Sequence, residues 1–183
     1  MSRYKEHRPA DLGPEQQKIW QEIASGPRGS VPPPLQIWLH SPALAEHAQR
    51  LGAFLRFGTS LSPRLSELAI LITARHWTAQ YEWHHHEVFA RQAGLEPTVI
   101  AAIAESRVPE FSRADERAVY QFCITYYRDH RVDDTTYAMA VEQFGERGVV
   151  ELVGIMGYYA LISATLNVFE VPVPAGSPLP LCD

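Results

Sequence analysis

LSELAILITARHW, residues 65–77, runs directly into TAQYEWHHHEVFARQAG, residues 78–94, and these two stretches decide the fold class. The first is apolar nearly all round, the pattern of a central helix wrapped by other helices or by a partner subunit. Glu67 is its acidic exception. The second follows Thr78, a residue suited to capping a helix start, and stops at Gly94, suited to the left-handed position just past a helix end. A tight turn is all that separates them, so the spacing predicts a helical hairpin.

Outward from this hairpin, no segment alternates with period two, whereas helical spacing recurs between short turns. Residues 14–24 form a first helix with Pro14 at its first position, and GPRGSVPPP (26–34) reads as a non-helical linker. Ser41-Pro42 and Ser62-Pro63 each pair a cap with an opening proline; Leu44, Ala48, Leu51 and Leu55 mark one face of the helix that follows the first. Pro97 opens a short helix. Ser112 with Asp115 resembles a capping box for a longer one bearing Val119, Phe122 and Tyr126. Asp133 or Asp134 caps a helix that ends at Phe144-Gly145. The last helix, 147–167, carries Val149, Leu152, Val153, Met156, Ala160 and Ser163 on its stripe. The expected architecture is all-α: an N-terminal helix and linker over 1–34, a single helical domain over 35–170, and an extended tail over 171–183.

The 183 residues carry 16 basic and 21 acidic side chains, a net charge of -5 that lacks the positive field selected by phosphate backbones, so nucleic acid is not an expected partner. The charged start MSRYKEHRPADLG holds no apolar leader core, and the apolar stretches read as too short to span a bilayer. These features predict a cytoplasmic protein without a membrane partner. Cys123 and Cys182 lie far apart with no C-x-x-C pair, which argues against thiol redox chemistry; Cys123 reads as a buried hydrophobe.

The densest reactive cluster is Tyr81-Glu82-Trp83-His84-His85-His86-Glu87. Successive helical residues turn by about 100°, so the three histidines fan out, while Glu82 and His86, at i and i+4, stack on one face. The hairpin can bring Glu67 opposite them. Two carboxylates and an imidazole in a dry cleft have displaced pKa values, the preparation for proton transfer at neutral pH. The structural alternative pairs Glu67 with Arg64 or Arg75 and leaves His84 and His85 on a solvated face. Glu82-x-x-His85 matches one element of carboxylate-bridged metal bundles, but no second element is present, and a metal held by Glu67, Glu82 and His86 ranks below the metal-free reading. One phenol of Tyr158-Tyr159 is placed to enter a pocket.

From GPRG (26–29) through LHSPALAEHAQRLGAFLRF, the hairpin and YYALISATLNVFEVPVP, the chain resembles the carboxymuconolactone decarboxylase family, whose fold is AhpD-like and all-helical. The AhpD-type alkylhydroperoxidases of that superfamily use a glutamate, a C-x-x-C pair and a histidine. Glu67 and His86 match the first and last, whereas Ala79 and Glu82 stand where the cysteines would be. Thiol peroxidase activity is therefore not expected. The resemblance implies a cofactor-free lyase that decarboxylates or moves a proton on a small lactone or carboxylic acid of aromatic catabolism. It makes His86 the proton donor or shuttle, Glu82 its orienting partner, and Glu67 a second acid/base or anchor. His85, Trp83, Arg75 and Tyr158 complete the expected substrate-binding set, and no metal is required. The resemblance also implies a homo-oligomer, dimer, trimer or hexamer, an expectation that the apolar helix 65–77 matches. The alternatives are a metal-assisted oxidase or hydrolase using the same three side chains, and a non-catalytic AhpD-like binding protein.

Overall fold

Proline opens α1 (Pro14–Ser25), α2 (Pro33–Trp38), α3 (Pro42–Phe57), α4 (Pro63–His76) and α6 (Pro97–Ala104). At the first helical position its missing N–H removes no bond and its fixed φ already suits the helix. A computed structural model describes residues 2–181; α5 (Gln80–Gln92), α7 (Ala114–Asp129) and α8 (Asp134–Val168) complete the α-helices, a short 3₁₀ turn spans Pro9–Asp11, and there is no strand among the described residues. Asp133 caps α8 by accepting from the Thr136 backbone N–H at 2.9 Å. Gly145 (φ 64°, ψ 172°) breaks α8 in two at the position where the sequence predicts a boundary.

Helix α4 lies at the centre, packed on α5, α7 and α8, and every residue from Leu65 to Ala74 is buried. The wrapping of this helix is thus supplied by the chain itself. Its apolarity, read from sequence as matching burial in an oligomer, requires no partner subunit. Helix α8 is long and apolar enough to cross a membrane by length and composition, contrary to the sequence reading. Most of its apolar window is buried against α4, α7, α3 and α2, which accounts for that composition as core.

Several local expectations need correction. Residues 33–34 are not linker: Pro33 and Pro34 open α2, whose Trp38 donates from Nε1 to Thr165 Oγ1 at 2.9 Å in the core. Arg113, not Ser112, sits at the cap of α7, and Asp115 instead binds Arg64. The face of α3 is rotated from the predicted stripe, with Ala45, Ala48, Gly52 and Leu55 inward and Leu44 and Leu51 outward. Tyr126 and Val153 likewise point to solvent. The N-terminal segment is docked on the body, with the Arg3 backbone N–H on the Phe169 carbonyl (3.0 Å) and Ile19 and Ile23 in the core. The tail turns at Gly176 (φ 85°) and is pinned where Gln80 and the Leu181 backbone exchange two hydrogen bonds of 2.8 and 3.0 Å. Cys182 lies outside the described residues.

One glycine is dictated by contact. A Cβ at Gly52 would lie 2.0 Å from the Tyr158 hydroxyl oxygen and 2.2 Å from its Cζ, so α3 must present bare backbone to that phenol. Gly52→Ala is expected to lower stability by at least about 1–3 kcal/mol, the usual cost of overpacking. Urea titration checks this, and a variant as stable as wild type would show that Tyr158 moves freely.

Candidate active site

The turn that sets α5 against α4 is short. The Ala79 N–H returns to the Ala74 carbonyl (2.8 Å) and the Thr78 N–H to the Arg75 carbonyl (3.0 Å), closing the end of α4 as a Schellman motif. Thr78 is its left-handed residue (φ 47°), a conformation that β-branched residues rarely adopt. Thr78 therefore does not cap α5, as its sequence position suggests; Ala79 holds that position.

Across this hairpin the predicted trio comes together. His86 Nδ1 lies 2.6 Å from Glu67 Oε2, and His86 Nε2 lies 3.1 Å from Glu82 Oε1. Glu67, Glu82 and His86 are 7%, 4% and 3% exposed, so all three groups are withdrawn from water. A neutral imidazole has one N–H, whereas two ionised carboxylates on its two nitrogens call for two; the arrangement suits an imidazolium donating to both. Burial alone disfavours that cation, but the charges and hydrogen bonds of Glu82 and Glu67 outweigh it and raise the His86 pKa to about 9. Neither Arg64 nor Arg75 neutralises Glu67. Arg64 binds Glu116 and Asp115, and Arg75 donates to Ser106 Oγ at 2.9 Å.

The two carboxylates are not equivalent. Glu82 and His86 line a small cavity with His85, Tyr81, Tyr158, Tyr159, Arg28 and Arg56, walled by Pro32, Pro34, Leu35 and Ile162. Glu67 lies behind the imidazole and does not line it. The cavity measures about 30 Å³, room for about one water molecule. Tyr159 meets the His86 ring edge-to-face at 5.1 Å and 84°. His85 stacks against Tyr81, and burial together with the His86 charge lowers its pKa to about 4, so it is neutral where His86 is charged.

Of the expected substrate-binding residues, His85 and Tyr158 reach this cavity and two do not. Trp83, adjacent to Glu82 but turned by about 100°, is core: its ring is 1% exposed and Nε1 donates to Glu87 at 3.3 Å. Arg75 lies two turns beyond Glu67 on α4 and lines a separate groove with His76, Ser106 and Arg107. Sequence reasoning missed Arg28 and Arg56, and it expected one phenol of Tyr158-Tyr159 in a pocket where both line the cavity. Arg28 sits within the quoted GPRG motif, and that motif was the available signal. Among the described residues no group of three or more His, Cys, Asp and Glu side chains is arranged to hold a metal ion. Both nitrogens of His86 are already engaged by carboxylates.

No protein-family model and no curated protein matches the sequence. Solved structures do. An uncharacterized peroxidase-related protein from Ralstonia eutropha JMP134, described as an alkylhydroperoxidase AhpD core, superposes with a TM-score of 0.77 at 17% identity, covering 95% of this chain and 93% of its own. A peroxidase-related protein from Silicibacter sp. TM1040 gives 0.74 at 17% identity over 90% and 87%. The debrominase Bmp8, in a cysteine-to-alanine form bound to 2,3,4-tribromopyrrole, gives 0.73 at 15% identity over 94% and 91%. The all-helical fold is AhpD-like.

The two histidines make opposite contributions to stability with pH. With its folded pKa above the ordinary 6.5, His86 stabilises fully below pH 6.5 and loses that contribution as pH rises through about 9. His85, with its folded pKa below 6.5, stabilises fully above pH 6.5 and loses the contribution as pH falls through about 4. Their combined contribution is expected to peak near pH 6.5. Imidazole proton resonances should titrate with midpoints near 9 for His86 and 4 for His85; two midpoints near 6.5 would overturn the assignment.

Proposed function

We propose that the protein is a cytoplasmic, cofactor-free, decarboxylase-like lyase that moves a proton on a small lactone or carboxylic acid of aromatic catabolism. The observation that carries this reading is the imidazole held on both nitrogens by buried carboxylates, with only the Glu82 side open to a cavity. When a carboxylate leaves as CO₂, its electron pair passes to the carbon it held and delocalises into a conjugated carbonyl. The Glu82–His86 pair supplies the proton that this carbon then takes. Glu67 stays on Nδ1, fixing the ring and favouring its charged form, so it serves as anchor rather than as a second acid. The low-dielectric cavity strengthens each of these electrostatic contacts.

A thiol relay is not part of this reading. It needs two neighbouring sulfurs, and Cys123, the cysteine among the described residues, is buried in the core with its thiol pKa pushed up by desolvation. The position matching a redox cysteine in the resemblance holds Glu82, which here binds His86 instead. That a protein of the same fold holds a substituted pyrrole supports a ring-sized ligand in the corresponding body of helices.

His86→Gln is expected to lower turnover of carboxymuconolactone by about 10²–10⁴-fold, the usual contribution of a positioned acid–base group. Glu67→Gln is expected to bring the alkaline limb of the kcat/KM profile down from near pH 9, since it removes one of the two charges that raise His86. Equal rates for wild type and His86→Gln overturn the catalytic assignment.

We also propose that the chain self-associates, through an outward stripe on α8. Val150, Val153, Leu161 and Val168 are exposed there at helical spacing. Light scattering should give a mass above that of one chain, and Val153→Glu should lower it; a monomeric wild type would overturn this.

A further inference from the structure

The cavity holds more positive charge and more unmet hydrogen-bonding capacity than the Glu67–His86–Glu82 cluster uses. Nε and Nη2 of Arg28 are buried without a hydrogen-bond partner, and so is the hydroxyl of Tyr158, a residue only 4% exposed. Neither Arg28 nor Arg56 forms an ion pair among the described residues. Arg56 instead lies over the Phe89 ring at 4.6 Å, and Arg28 faces Phe57 at 5.9 Å. Both guanidinium charges act on the Tyr158 phenol, and all three side chains line the same cavity. Buried donors left unmet are costly, charged ones most of all, so their convergence on one small space points to a ligand.

Charge identifies its class. Glu67 and Glu82 are offset by His86 and one arginine, and the second arginine leaves the site with a single positive charge, because the neighbouring His85 is neutral at pH 7. One carboxylate brings the site to neutrality, and the planar guanidinium fork matches its two oxygens. We infer that Arg28, Arg56 and the Tyr158 hydroxyl form a receiving site for one carboxylate of a small ring-bearing acid, whose ring lies against Pro32, Pro34 and Leu35. Because the cavity accommodates about one water, the ligand enters as the two arginine side chains move, and both are only half-buried. This deepens the proposed function, and rests on it only for treating this cavity as the substrate's.

Benzoate and its neutral isostere benzamide test the inference on the unmodified protein by calorimetry, with the His86 imidazole resonance as reporter of location. Benzoate is expected to bind at least about tenfold more tightly than benzamide and to shift that resonance, because a hydrogen bond to a charged group is worth at least about a factor of ten. Arg28→Gln and Arg56→Gln should each weaken benzoate by about tenfold or more, whereas Arg75→Gln should not. Equal affinity for the two probes, no binding of either, or unchanged benzoate affinity in folded Arg28→Gln overturns the inference. A wild type that binds benzoate selectively yet leaves lactones unchanged defeats the lyase reading alone; turnover without selectivity for the anion defeats this inference alone.

Discussion

Two carboxylates cannot remain ionised inside a helical core unless a cation shares their space, and the imidazolium of His86 is that cation. Its two ring nitrogens reach Glu67 on α4 and Glu82 on α5, so one side chain ties the central helix to its neighbour and balances part of its acidity. Isolated burial of either glutamate would cost several kcal/mol; the shared ring converts a pair of liabilities into a fixed geometry. The rest of the site is arranged around that bond. Tyr159 closes over the imidazole and α4 supplies the anchor from behind, which leaves one edge of the cluster facing the cavity.

Much of this was legible in the chain because it depends on local spacing. The i,i+4 relation of Glu82 to His86 and the short turn after residue 77 place three side chains together by helix geometry alone. Proline-led helix starts, the left-handed Gly94 and the break at Gly145 follow from backbone preferences that act over a few residues. What escaped depends on tertiary choice. Pro33 and Pro34 look like linker until Trp38 is seen to lodge beside Thr165, and Ser112 loses its capping role because Asp115 is drawn to Arg64. Trp83 is next to Glu82 in sequence but rotation about the helix axis carries it into the core, and Arg75, expected as a cation for an acidic substrate, lies two turns along α4 beside Ser106. Arg28 belongs to an irregular segment, where periodicity gives no direction for a side chain.

The fold is shared with solved structures described as peroxidase-related proteins and a debrominase, and in this chain the candidate site is built from carboxylate and imidazole groups. The frame explains how this is possible. A central helix and its hairpin partner hold adjacent turns at fixed separation, and the frame is indifferent to which reactive atoms those turns carry. Position 82 holds a glutamate that binds His86, while the core of α4, α7 and α8 is built from other, mostly apolar side chains.

The three-residue connection from Trp77 to Ala79 gives this stretch of chain an unusual rigidity of length. An added or deleted residue there would disrupt the hydrogen bonds from the Ala79 N–H to the Ala74 carbonyl and from the Thr78 N–H to the Arg75 carbonyl, and with them the seating of Glu82 and His86 against Glu67, even with every residue of both helices unchanged. Insertion and deletion libraries should therefore be depleted at positions 76–80 and tolerant across the irregular segment 105–113, where no such seating is at stake.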